Sequence, residues 1–155
     1  ENVRLAAQSR RQQPWRIFSQ AMKLQWSIDK AMACIAEAGL AGNEGRLAGV
    51  MSHGAQRQLE IAMVLATDAQ VLLLDEPLAG MGSEESAKMV EVLKRLRETR
   101  AILLVEHDMD AVFAVADTIT VMVNGQVLES GPPAQIKASV AVQEAYLGQE
   151  DSFHV

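Results

Sequence analysis

The stretch Val71-Leu72-Leu73-Leu74-Asp75-Glu76 constrains this chain more than any other. Four consecutive aliphatic residues predict a β-strand covered on both faces, as in a parallel sheet packed between layers. A second run, Ala101 to Val105, has the same character and ends in Glu106-His107-Asp108. Between the two, Gly80-Met81-Gly82 marks a turn, and Ser83 is placed to cap a helix whose first turn holds Glu84 and Glu85. Acidic groups there lie at the positive end of the helix dipole. Glu91 and Arg95 stand four apart on that helix, a spacing that suits an ion pair. A short helix over Met109 to Ala116 leads to a third apolar strand, Ile119 to Val123. Asn124-Gly125 then predicts a type I′ turn into Gln126–Glu129, completing a hairpin. Strand, helix, strand, helix, strand over 70–123 is the rhythm of a parallel α/β fold with right-handed crossovers.

The part before it reads as all helical. Residues 1–26 predict one or two helices broken near Pro14, which cannot sit cheaply in a helix interior. Trp15, Phe18, Met22 and Trp26 follow at helical spacing, a packing stripe. Ser27 is a candidate N-cap for a helix through Ala38, with Gly39 as its stop. Cys34 within it reads as a small buried hydrophobe. Gly39, Gly42, Gly45 and Gly49 mark a loop. A helix then starts at Ser52, with Leu59, Ala62, Met63 and Ala66 on one face. Gly131-Pro132-Pro133 opens a last helical stretch that ends near Gly148. The expected division is a helical segment over 1–50, a core over 51–148 and a tail over 149–155.

Composition narrows the function classes. The chain has 155 residues, 49% of them hydrophobic and 22% charged, which is the balance of a folded domain. No apolar run approaches the roughly 20 residues of a membrane span, and no N-terminal leader pattern is visible. A single cysteine excludes an internal disulfide framework and a cysteine zinc cluster, and suits a reducing compartment. A net charge of −6 and only 4% aromatic residues argue against nucleic acid as a partner. Basic groups gather early: Arg4, Arg10, Arg11, Arg16 and Lys23 face only Glu1 in residues 1–26. That distribution fits a surface for an acidic partner or lipid headgroups, but charge runs more often mark a solvated helix face.

Three clusters carry chemistry. Asp75 and Glu76 end a buried strand, and open α/β sheets bind ligands at that carboxyl edge. An aspartate there can hold the water shell of Mg²⁺, and the next carboxylate can orient or deprotonate an attacking water. The same pair also fits an acidic turn opening the next helix. Ser52-His53-Gly54-Ala55-Gln56 joins a hydroxyl, a glycine and free helix N–H groups, an anion site or a plain N-cap. A neighbouring parallel strand would bring His107 to the edge of Asp75 and Glu76. There it could donate to a phosphate oxygen or relay a proton, or act simply as a surface histidine capping the next helix. His154 is assigned no role.

Order and spacing together resemble the nucleotide-binding subunit of ATP-binding-cassette transporters, over nearly the whole chain. Ser52-His53-Gly54-Ala55-Gln56 is similar to the family signature Leu-Ser-Gly-Gly-Gln. Val71–Asp75 is similar to the Walker B strand and Glu76 to the catalytic glutamate. Gly80-Met81-Gly82 falls at the D-loop and His107 at the switch histidine. His53, the run Asp75 to Gly82, Glu106-His107-Asp108-Met109 and Ala145-Tyr146-Leu147-Gly148 resemble the ATPases of branched-chain amino-acid uptake systems. The resemblance implies two subunits sandwiching two ATP molecules. Asp75 would hold Mg²⁺, Glu76 would polarise the water and His107 would touch the γ-phosphate. Ser52, Gly54 and Gln56 would reach the partner's ATP, with Gly80 and Gly82 on the D-loop. Residues 1–50 would dock on permease subunits, which implies a cytoplasmic protein peripheral to the inner face of the membrane.

Three departures stand out. Ala55 replaces a glutamate frequent in that subfamily, and Gly82 replaces an aspartate common at the end of the D-loop. The third is larger. A P-loop needs Gly-x-x-x-x-Gly-Lys before Ser or Thr, and none of Lys23, Lys30, Lys88, Lys94 and Lys137 follows a glycine. The resemblance places Glu1 inside the family's chain, beyond its P-loop and glutamine loop. Two readings follow: part of an importer ATPase that holds no nucleotide tightly alone, or a stand-alone, non-catalytic interaction module. The upstream coding DNA distinguishes them. A missing P-loop strand implies an incomplete parallel sheet and an unpaired edge on the Ala101–Val105 strand. Such edges recruit other strands, so the chain is expected to form a homo-oligomer or a strand-swapped dimer, with the 119–129 hairpin as the mover.

Overall fold

A computed structural model of the chain describes residues 1–9 and 25–150, with side chains placed to residue 145. The expected stripe of Trp15, Phe18 and Met22 and the break at Pro14 lie outside the described residues, as does the tail beyond 150. The chain forms two compact units, residues 1–108 and 109–155.

The first unit opens with three helices, α1 (Asn2–Ser9), α2 (Gln25–Glu37) and α3 (His53–Ala66), packed on one another. Ser27 is not the cap of α2. The helix begins two residues earlier, and Ser27 is fully buried, its Oγ accepting from Gln8 Nε2 at 3.1 Å. A small hydroxyl in a helix interior is tolerated when a neighbouring helix supplies a partner. The stop at Gly39 is as expected. The Leu40 N–H donates to Ile35 O at 2.9 Å and the Gly39 N–H to Ala36 O at 3.0 Å, a Schellman closure. On α3 the buried face is Ile61, Ala62, Leu65 and Ala66; Leu59 and Met63 are only half-buried.

Strands β1 (Val71–Asp75) and β2 (Ala101–Val105) pair in parallel, from Val71↔Ala101 to Asp75↔Val105. Helix α4 (Ser83–Leu96) connects them and buries Met89, Val92, Leu93 and Leu96. Its N-cap is Gly82, so Ser83 is the first helical residue rather than the cap. Lys88 pairs with Glu84 at 2.7 Å and lowers its carboxyl from the usual range. Glu91 pairs with Lys94 at 2.9 Å rather than with Arg95.

The expectation that both strands are covered on both faces does not hold. Leu72 is 1% exposed, but Val71, Leu73, Leu103 and Val105 are 58, 73, 61 and 55% exposed. Side chains alternate across a strand. One face enters the core of the first unit and the other is exposed.

The second unit holds α5 (Met109–Val115), β3 (Ile119–Val123), β4 (Gln126–Gly131), α6 (Pro133–Ala138) and α7 (Val140–Glu150). β3 and β4 form the expected hairpin, with Asn124 and Gly125 at φ 50° and 77°, both positive as a type I′ turn requires. Ile119, Ile136 and Val142 form its core, flanked by Val112, Phe113, Ala116 and Val121. β3 pairs with β4 in the second unit, as β1 does with β2 in the first. The first unit's ladder carries the parallel part of the incomplete α/β sheet expected from the sequence.

Candidate functional site

β1 ends at Asp75, opposite Val105. The Glu76 N–H donates to Val105 O at 2.9 Å, which carries the ladder one bond further. Glu76 itself sits at φ 44°. A left-handed backbone is costly for a side chain with a Cβ and persists where the surroundings enforce it. The turn after it is closed by the Ala79 N–H to Glu76 O and the Met81 N–H to Leu78 O, both 3.1 Å.

His107, just past β2, comes to the same edge. Its Nδ1 lies 3.5 Å from Glu76 Oε1 and 3.8 Å from Glu106 Oε2. The imidazole is 75% exposed and Glu76 54%, so both are open to a ligand. The parallel register therefore brings His107 to Glu76 at the strand end that carries Asp75. The sequence assigned no role to Glu106, whose side chain is 1% exposed. Its Oε1 accepts from the Leu78 N–H at 2.8 Å and its Oε2 from the His107 N–H at 3.1 Å.

The start of α3 is built separately. Ser52 is its N-cap, and Ser52 Oγ accepts from the Ala55 N–H at 3.3 Å. Gly54 is buried; a Cβ there would stand 2.9 Å from Glu85 Cδ. Glycine at 54 thus lets the first turn of α4 approach. Gln56 turns its amide to its own loop, donating from Nε2 to Ala48 O at 3.0 Å. This ties the short 3-10 turn Ala48–Val50 to α3.

Gly80 joins this region to the acidic turn. Its φ is +74°, and a Cβ on it would lie 3.1 Å from His53 Cδ2. Gly82, at φ −73° and ψ 163°, has open space around it. The approach of Glu85 to Gly54 and that of His53 to Gly80 were not singled out by the sequence. Adjacent residue types give no signal for either contact.

Among the described residues no group of three or more His, Cys, Asp and Glu side chains could hold a metal ion alone. An exposed Asp75 at a strand end fits instead a cation that takes one carboxylate and keeps its waters. Among the described residues no helix is long and apolar enough to cross a membrane.

The parallel ladder thus brings a histidine to the edge where two carboxylates end a strand, the edge at which open α/β sheets take ligands. The family model "ABC transporter" matches residues 1–79, and "Branched-chain amino acid ATP-binding cassette transporter" matches residues 126–152. The chain belongs to the ATP-binding-cassette transporter family. It is 38% identical over 125 residues to the high-affinity branched-chain amino acid transport ATP-binding protein LivG of Escherichia coli, covering 79% of this chain and 49% of LivG. BraF of Pseudomonas aeruginosa, described in the same words, is 36% identical over the same shares. The chain thus spans about half the length of these curated relatives. Among solved structures, an ATP-binding cassette of an ABC transporter in its ADP conformation superposes with a TM-score of 0.74 at 24% identity, covering 95% of this chain and 62% of that one. A dimeric, post-hydrolysis cassette bound to ADP and Pi gives a TM-score of 0.62 at 23% identity, covering 75% of this chain and 51% of that one. At these identities the structures establish the fold.

Proposed function

We propose that this chain is the part of an importer's ATP-hydrolysing subunit that carries the water-activating and partner-facing groups, with branched-chain amino acids as cargo. The observation that carries the reading is the 3.5 Å approach of His107 Nδ1 to Glu76 Oε1 beside Asp75. Asp75 would hold Mg²⁺, which supplies charge neutralisation at the phosphates. Glu76 orients and deprotonates the attacking water. His107, open to solvent beside the Glu76 carboxylate, donates to a phosphate oxygen. Ser52, Gly54 and Gln56 present the α3 start to ATP held by a second ATPase subunit, with Gly80 and Gly82 on the turn beside it. Residues 1–50 form the helical subdomain that docks on permease subunits, residues 51–148 the core and 149–155 a tail. The subunit works at the cytoplasmic face of the membrane.

Without a Gly-Lys pair to grip the β- and γ-phosphates, the chain alone binds nucleotide weakly and turns none over. Purified chain with Mg-ATP is expected to release no phosphate above background. A rate abolished by Glu76→Gln would overturn that expectation. Joined to a P-loop segment, the assembly is expected to hydrolyse ATP, with Glu76→Gln lowering kcat by about 10²- to 10⁴-fold. An assembly that binds ATP but is indifferent to Glu76→Gln would overturn the catalytic assignment.

A further inference from the structure

We propose that Glu106 is a positioning residue whose buried carboxylate fastens the Glu76–Ala79 turn to the end of β2 and so sets the gap between Glu76 and His107. The inference rests on the ATPase reading of Glu76 and His107 and deepens it. A carboxylate whose side chain is 1% exposed must find donors, because burying it unpaired is costly. Glu106 finds them on two segments. Oε1 accepts the Leu78 N–H, 28 residues away in sequence, at 2.8 Å. Oε2 accepts the N–H of His107 at 3.1 Å.

One side chain thereby spans both groups that meet at the edge, with His107 Nδ1 only 3.8 Å from the same Oε2. The turn needs such a tether. Glu76 is left-handed at φ 44°, and a backbone of that kind relaxes unless its surroundings over-determine it. The Glu76 N–H to Val105 O bond fixes one side of the turn. The Glu106–Leu78 bond fixes the other, two residues on. Glu106 itself lies beneath the edge and acts through Glu76 and His107.

The test uses amide hydrogen exchange and histidine ring resonances of this chain by NMR, in Glu106→Ala and Glu106→Gln. Glu106→Ala is expected to speed Leu78 exchange by about ten-fold or more relative to Leu72 and Leu104 within the ladder. It is also expected to shift the His107 ring signals. Glu106→Gln keeps one acceptor oxygen and should restore most of the Leu78 protection while still shifting the ring. In the ATP-hydrolysing assembly, Glu106→Ala should lower kcat and leave KM for Mg-ATP within about two-fold. Unchanged relative protection at Leu78, or an unmoved His107 ring, would overturn the proposal. Should Glu106→Ala not fold, the His107 ring in Glu106→Gln decides: shifted supports, unmoved overturns. The exchange readout needs no nucleotide, so failure of the ATPase reading would be seen separately as absent turnover.

Discussion

Position 80 admits no side chain without cost, for two independent reasons. Its φ of +74° is left-handed, and His53 Cδ2 would sit 3.1 Å from a Cβ there. Gly80→Ala is expected to destabilise the chain by about 1–2 kcal/mol, read as a lower denaturant midpoint. Adding His53→Ala should recover part of that loss by removing the crowding. Cys34 and Lys30 set an alkaline limit. Burial pushes the Cys34 thiol up, and the bond to Asp68 holds the Lys30 ammonium up. Groups raised in the folded state stabilise below their unfolded values and lose that contribution as pH climbs. Stability is therefore expected to fall once pH passes the thiol's ordinary 9.0, and Cys34→Ala should flatten that decline in thermal melts between pH 7 and 10. At this scale the meeting of Glu76 and His107 at the strand end that carries Asp75 was legible, because each closely follows an apolar run. The burial of Glu106 was not, since a charge beside such a run looks the same in sequence whether it is buried or solvated. The left-handed Glu76 was equally invisible, being imposed by Val105 and the turn that follows.

Helix starts are where element-scale changes should show most clearly. α3 is capped by Ser52 Oγ on the Ala55 N–H at 3.3 Å. Ala55→Glu would let a carboxylate reach back to the Ser52 N–H, completing a capping box. A gain of about 0.5 kcal/mol is expected, and an unchanged or lower Tm would count against it. α4 starts with no side-chain cap at Gly82, whose β-region backbone suits any L-residue and whose surroundings are open. Gly82→Ser should therefore raise stability by about 0.5–1 kcal/mol, through a cap bond and a less flexible unfolded chain. The hairpin at Asn124-Gly125 was readable because its turn chemistry is local. Ser27 misled, since an N-cap and a buried helical serine differ only in what packs against them. Likewise, the runs 71–74 and 101–105 announced strands, but their composition could not say whether a second layer covers Leu73 and Leu103.

For the whole molecule, that bare ladder face dominates solution behaviour. Val71, Leu73, Leu103 and Val105 form an exposed apolar surface on a two-stranded ladder. Such surfaces drive association. The chain is expected to self-associate by light scattering, and Leu73→Lys with Leu103→Lys should shift it towards monomer with little change in helix content. A monodisperse wild-type monomer would contradict this. The family was legible from the order of clusters along the chain. Each of the two units has buried residues of its own. Cooperativity is thus expected to break at the joint between residues 108 and 109. A calorimetric scan should then show a van't Hoff enthalpy well below the measured one. The substitutions at 80, 55, 82 and 34 would move one transition, while the melting of the hairpin unit reports on none of them.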